Sequence, residues 1–158
     1  MTGDMVDTPI KTILMPTDFS ECAAAALAWA RTLAAAFEAK IVLLHAVDLV
    51  SYVWIPVGPA EVPAPVPDDV ARKIMDVAEK SLHASAARAP EIARRLIRTG
   101  HPRDVIVQVA KEVGADVIVM GTHGRRNVSQ VFIGSVADHV VRHAPVPVMV
   151  VRAGDAAP

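Results

Sequence analysis

A single cysteine, Cys22, in 158 residues excludes an internal disulfide, and no cysteine and histidine cluster stands at zinc-ligand spacing. That usage fits a reducing compartment. Long apolar runs are scarce as well. The richest, from Cys22 to Ala30, is mostly alanine and stops at Arg31, well short of the ~20 apolar residues that span a bilayer. The opening stretch MTGDMVDTPI has two acids, no basic residue and no apolar core, so neither a signal nor a transit peptide is expected there. Charge of one sign is also lacking: 16 basic and 17 acidic residues leave a formal net charge of -1. The chain as a whole therefore has no electrostatic attraction to nucleic acid or an anionic membrane, with a local basic patch left open. These absences point to a soluble, cytoplasmic protein with no nucleic-acid or membrane partner.

What is present is apolar. A content of 53% hydrophobic and 21% charged residues excludes disorder as a whole-chain state. The length suits one domain, taken as 1–158, able to bury a core without disulfides or metals. Lys11 to Met15 and Ile41 to Val47 are continuous apolar runs, as expected of parallel strands covered on both faces. Between them Ala26, Ala30, Leu33 and Phe37 predict the buried face of a helix. Ser51 to Pro67 holds five of the twelve prolines and reads as a long surface loop that could cover a ligand. A second helix follows, with Val70, Ile74, Val77 and Ser81 on one face and Asp68 and Asp69 as cap candidates.

Ile92 to Thr99 reads as a third strand, placed at a sheet edge by Arg94, Arg95 and Arg98. Val105, Ile106, Val109 and Val113 mark a third helix, Ala115 to Met120 a fourth strand, Ser135 to His143 a fourth helix, and Pro147 to Arg152 a fifth strand. Five strands alternating with four helices predict an α/β doubly wound domain.

In such sheets ligands bind beyond the carboxyl ends of strands, where strand order reverses. The unusual residues gather there: Pro16-Thr17-Asp18-Phe19-Ser20 after the first strand, Gly121-Thr122-His123-Gly124 after the fourth, and Gly134-Ser135 opening the last helix. The pattern is G-x-x-G-x9-G-S. Its glycines let backbone amides approach an anion, and the helix start adds N–H groups, a hydroxyl and a positive dipole end. No G-x-x-x-x-G-K-[ST] loop exists.

On these motifs, together with LLHAVD (43–48), DVIVMGTHG (116–124), GSVADHVV (134–141) and VPVMVVR (146–152), the chain resembles the ATP-binding branch of the universal stress protein family. The resemblance implies a five-stranded parallel sheet in the order 3-2-1-4-5, with the first and fourth strands flanking the switch point. It implies ATP, with Mg2+, as ligand. Asp18 would face the nucleoside with the Pro16 and Thr17 backbone and the main chain of Ala46. Gly121, Gly124, Gly134 and Ser135 would hold the phosphates, with Val136 also among the nucleotide-binding residues. It also implies a homodimer through the fifth strand (Val146, Val148, Val150) and a regulatory role in stress adaptation rather than catalysis. The alternatives are a slow ATPase or other ATP-using enzyme on the same scaffold and a dimeric interaction module that binds no nucleotide.

Most of these residues carry a second, structural reading. Asp18 also suits a helix cap, and Ser135 with Asp138 matches the S-x-x-D capping pattern. His123 is either a loop residue or a phosphate donor. Arg125 and Arg126 either face solvent or neutralise phosphate. Met120 packs under the base or is only core. His45, inside an apolar strand, reads as a satisfied core histidine, and Cys22 as a buried helix residue.

Overall fold

A computed structural model of the protein describes residues 9–49, 53–57, 59–64, 66–87, 89–122 and 133–155, with the backbone alone for 53–57 and 60–64. Along the chain the elements run β1 (Thr12–Pro16), α1 (Glu21–Phe37), β2 (Lys40–Val47), β3 (Val53–Val57), β4 (Ala60–Ala64), α2 (Asp68–Ala86), β5 (Ile92–Thr99), α3 (Pro102–Glu112), β6 (Val117–Gly121), α4 (Ser135–His143) and β7 (Val148–Val151). Five strands form one all-parallel sheet in the order β5-β2-β1-β6-β7. With the β3–β4 pair set aside, this is the expected doubly wound order 3-2-1-4-5.

The continuous apolar runs split by alternation into two layers. Ile13, Met15, Ile41, Leu43, Val117 and Val119 pack with α1 and Leu82 of α2. Leu14, Val42, Leu44, Ile118 and Met120 pack with residues of α3 and α4. A strand buried on both faces has no polar side to show, which is why its sequence does not alternate. Asp116 fixes the start of the sheet, its Oδ2 accepting from the backbone N–H groups of Lys11 and Thr12 at 2.8 and 2.9 Å. The arginine-bearing strand β5 lies at the edge as expected, with Arg98 paired to Glu112 of α3 at 2.9 Å.

Four expectations need correction. Residues 53–57 and 60–64 of the proline-rich stretch form an antiparallel hairpin, not a loop, with Val57 opposite Ala60, Pro56 opposite Glu61 and Trp54 opposite Pro63. Counting from the closing pair, both prolines fall in alternate, non-hydrogen-bonded pairs, so neither removes a ladder bond. Proline excludes a central strand, and this two-stranded ribbon consists only of edges. Tyr52 lies outside the described residues.

The buried face of α1 is Ala23, Ala26, Ala30 and Ala34, whereas Phe37 is 50% exposed. Periodicity allows both stripes; the alanine stripe brings the helix axis closer to the sheet, so it wins. Similarly, α2 buries Ala78 and Leu82, while Val70, Ile74 and Val77 are 37%, 40% and 63% exposed. Among the described residues this helix packs mainly on β2 and β5 at the sheet margin, and its amino-terminal apolar residues stay partly exposed. Asp68 and Asp69 lie within its first turn rather than capping it; the N-cap position is Pro67. There they favour the positive end of the helix dipole, and Asp69 also lies 3.9 Å from Lys73 one turn on.

Candidate functional site

Because the chain leaves β1 toward β2 on one side and β6 toward β7 on the other, the carboxyl ends of β1 and β6 form the switch point. β1 ends at the buried Pro16, opposite Leu44, and the following turn is bonded to itself. The N–H of Thr17 donates to the Leu44 carbonyl (2.8 Å), that of Phe19 to Thr17 Oγ1 (3.1 Å), and that of Ser20 to Asp18 Oδ1 (3.0 Å). The Ala23 N–H donates to Ser20 Oγ at 3.2 Å, which makes Ser20 the N-cap of α1. Asp18 is thus not the cap; it closes an Asx turn one step earlier. Phe19 takes the left-handed conformation, with φ of 63°, an uncommon state for a bulky side chain that surrounding contacts must hold.

On the β6 side, Gly121 is the last strand residue. A Cβ on it would stand 2.8 Å from Cys22 Cβ and 2.9 Å from the Cys22 carbonyl carbon. The first turn of α1 rests directly on Gly121, so packing alone already demands glycine here, beside any anion approach. Cys22 is half-buried rather than enclosed.

Thr122 is 6% exposed, the only polar side chain buried among the described residues. Its N–H donates to the Val151 carbonyl and its carbonyl accepts from the Gly134 N–H, both at 2.8 Å. Three elements, the ends of β6 and β7 and the start of α4, are therefore stapled at one residue. Sequence reading passed over Thr122; its signal was a polar residue placed directly after a buried strand. His123, Gly124, Arg125 and Arg126 lie outside the described residues.

Gly134 is the N-cap of α4, at φ -62° and ψ 154°, with no side-chain cap hydrogen bond. Ser135 is the first helical residue, which overturns the capping-box expectation, since that box needs serine one position earlier. Asp138 turns instead to Arg142, whose Nε donates to both carboxylate oxygens at 3.1 and 3.0 Å. That hydrogen bond holds the Asp138 carboxyl below its ordinary range. Met120, Ala46 and Val136 meet in one apolar cluster behind this edge, so Met120 is core here, 5% exposed.

The fold thus gathers Pro16, Thr17, Asp18, Ala46, Met120, Gly121, Gly134, Ser135 and Val136 at one edge of the sheet. A separate cleft of about 300 Å³ between α1 and α2, floored by Met15 and Leu43, reaches the same turn from the other face at Thr17, Phe19 and Ser20.

A profile of the Universal stress protein family matches residues 9–152. A universal stress protein of Thermus aquaticus is 35% identical over 144 residues, which covers 90% of this chain and 98% of the relative. Universal stress protein MJ0577 of Methanocaldococcus jannaschii is 28% identical over 153 residues, covering 90% and 94% of the two chains. Its solved structure has a TM-score of 0.73 at 25% identity and covers 91% of this chain and 96% of its own. A solved universal stress protein in complex with cAMP has a TM-score of 0.59 at 26% identity, with 93% and 100% covered. Profile, relatives and fold agree over nearly the whole length, and the chain belongs to the universal stress protein family.

Proposed function

We propose that this protein binds ATP at the β1–β6 switch point and acts as a cytoplasmic regulator in stress adaptation, with no catalytic residue of its own. The observation that carries this reading is the staple at Thr122, which sets the amino-terminal end of α4 against the carboxyl end of β6. That end has no side-chain cap, whereas α1 beside it is capped by its own Ser20. Backbone N–H groups at Ser135 and Val136, with the Ser135 hydroxyl, suit a phosphate. Asp18 suits ribose hydroxyls or the adenine amino group, against the Pro16, Thr17 and Ala46 backbone and above Met120. His123, Gly124, Arg125 and Arg126 complete the phosphate end in this reading. Bound ATP supplies a base and a polyanion to be recognised, and Mg2+ carried on its phosphates offsets part of that charge. The cAMP complex of a family member supports adenine-nucleotide recognition.

Calorimetric titration of the purified, nucleotide-stripped protein with ATP, adenosine and cAMP tests the reading. ATP is expected to bind most tightly, because only it reaches both ends of the site; no heat with any of the three overturns it. Adenine nucleotide released on denaturing the protein as purified would support it further.

The same reading includes a homodimer through β7. This strand pairs with β6 on one side and has no neighbour on the other among the described residues, and Val148 and Val150 are only half-buried. An apolar open edge is a template for a second copy. Val150→Lys is expected to convert dimer to monomer in light scattering while circular dichroism stays unchanged. A dimeric mass in the folded variant would place the interface elsewhere.

A further inference from the structure

His45 holds more than the core. Its Nδ1 lies 2.7 Å from the carbonyl oxygen of Thr17, 28 residues earlier in the chain. A carbonyl can only accept, so Nδ1 carries the proton in this contact. The imidazole also packs on Phe19, with ring centroids 4.6 Å apart and planes tilted by 40°. These two contacts grip the turn on either side of Asp18. The Thr17 carbonyl belongs to the same planar peptide unit as the Asp18 N–H. Pinning that oxygen therefore constrains the peptide plane from which Asp18 projects, while the Ser20 N–H holds the carboxylate oxygen itself. Phe19, in its left-handed state, is held against relaxation by the same ring.

We propose that His45 is the positioning residue of the nucleoside end: it orients Asp18 through the Thr17 carbonyl without touching the nucleotide. This rests on the reading of the switch point as an adenine-nucleotide site. Removing the imidazole leaves the Thr17 oxygen without its side-chain donor and frees the peptide plane. Nothing in this contact reaches α4, so the phosphate end is unaffected.

The test is a double-mutant cycle read by adenosine and ATP titration. His45→Leu is expected to weaken both ligands by the same factor, about tenfold, or 1.4 kcal/mol. His45→Asn has nearly the shape of leucine but keeps a donor nitrogen where Nδ1 stood, and is expected to recover most of the affinity. In an Asp18→Asn background, whose side-chain oxygen still closes the Asx turn, His45→Leu is expected to cost little more. Additive losses, or unchanged adenosine binding by folded His45→Leu, would overturn the proposal. If the wild-type protein bound neither ligand, the nucleotide reading itself would fall. Imidazole nitrogen shifts of the ligand-free wild-type protein give an independent check: a proton on Nε2 rather than Nδ1 overturns the proposal whatever the variants do.

Discussion

Gly121→Ala is expected to lower the melting temperature of the nucleotide-free protein by roughly 2–12 °C. The added Cβ meets Cys22 Cβ at 2.8 Å and the Cys22 carbonyl carbon at 2.9 Å, and the second of these is backbone. No rotamer change relieves it; the first turn of α1 must move off the sheet. Overpacking of this kind costs about 1–3 kcal/mol, and each kcal/mol shifts the midpoint of a domain this size by about 2–4 °C. Gly121→Val should cost more. A thermal melt without ligand decides between two reasons for glycine: packing lowers stability in the empty protein, whereas a need for close phosphate approach alone lowers only the affinity. An unchanged melting temperature would show that α1 tolerates the displacement.

Ser135→Pro is expected to weaken ATP by about 10- to 150-fold or more and leave adenosine unchanged. Proline is well suited to the first position of a helix, where its missing N–H has no intrahelical partner. The preceding Gly134, at φ -62° and ψ 154°, already has the extended backbone that a residue before proline requires. The helix should therefore persist while the Ser135 N–H and hydroxyl are removed together. A hydrogen bond to a charged group contributes about 1.5–3 kcal/mol, and each 1.4 kcal/mol is tenfold, so the range is the loss of one such bond and sets the smallest expected effect, since two donors are removed. Equal losses for ATP and adenosine in a folded variant would mean that α4 does not hold the phosphates.

Much of the molecule was legible before folding was considered. Continuous apolar runs such as Ile41 to Val47 fix strands buried on both faces, because hydrophobicity without alternation has few other solutions in a chain this short. Three arginines mark β5 as an edge strand, since a central strand has no place for their charge. The glycine at the end of β6 and the Gly-Ser at the start of α4 mark the switch point, because glycine is the residue that leaves room for close approach to the backbone. Which helix face turns inward was decided only by the tertiary structure. On α1 and α2 several stripes share the helical period, and the winning ones depended on how closely a helix can approach the sheet and how many strands lie beneath it. The hairpin at 53–64 was hidden because proline excludes central strands but not paired edges, a distinction set by register rather than composition. Cys22 against Gly121, the Thr122 staple and the grip of His45 on Thr17 join residues 99, 12 and 28 positions apart. Contacts of that separation have no local signature, because they exist only once the parallel crossovers have brought the strand ends together.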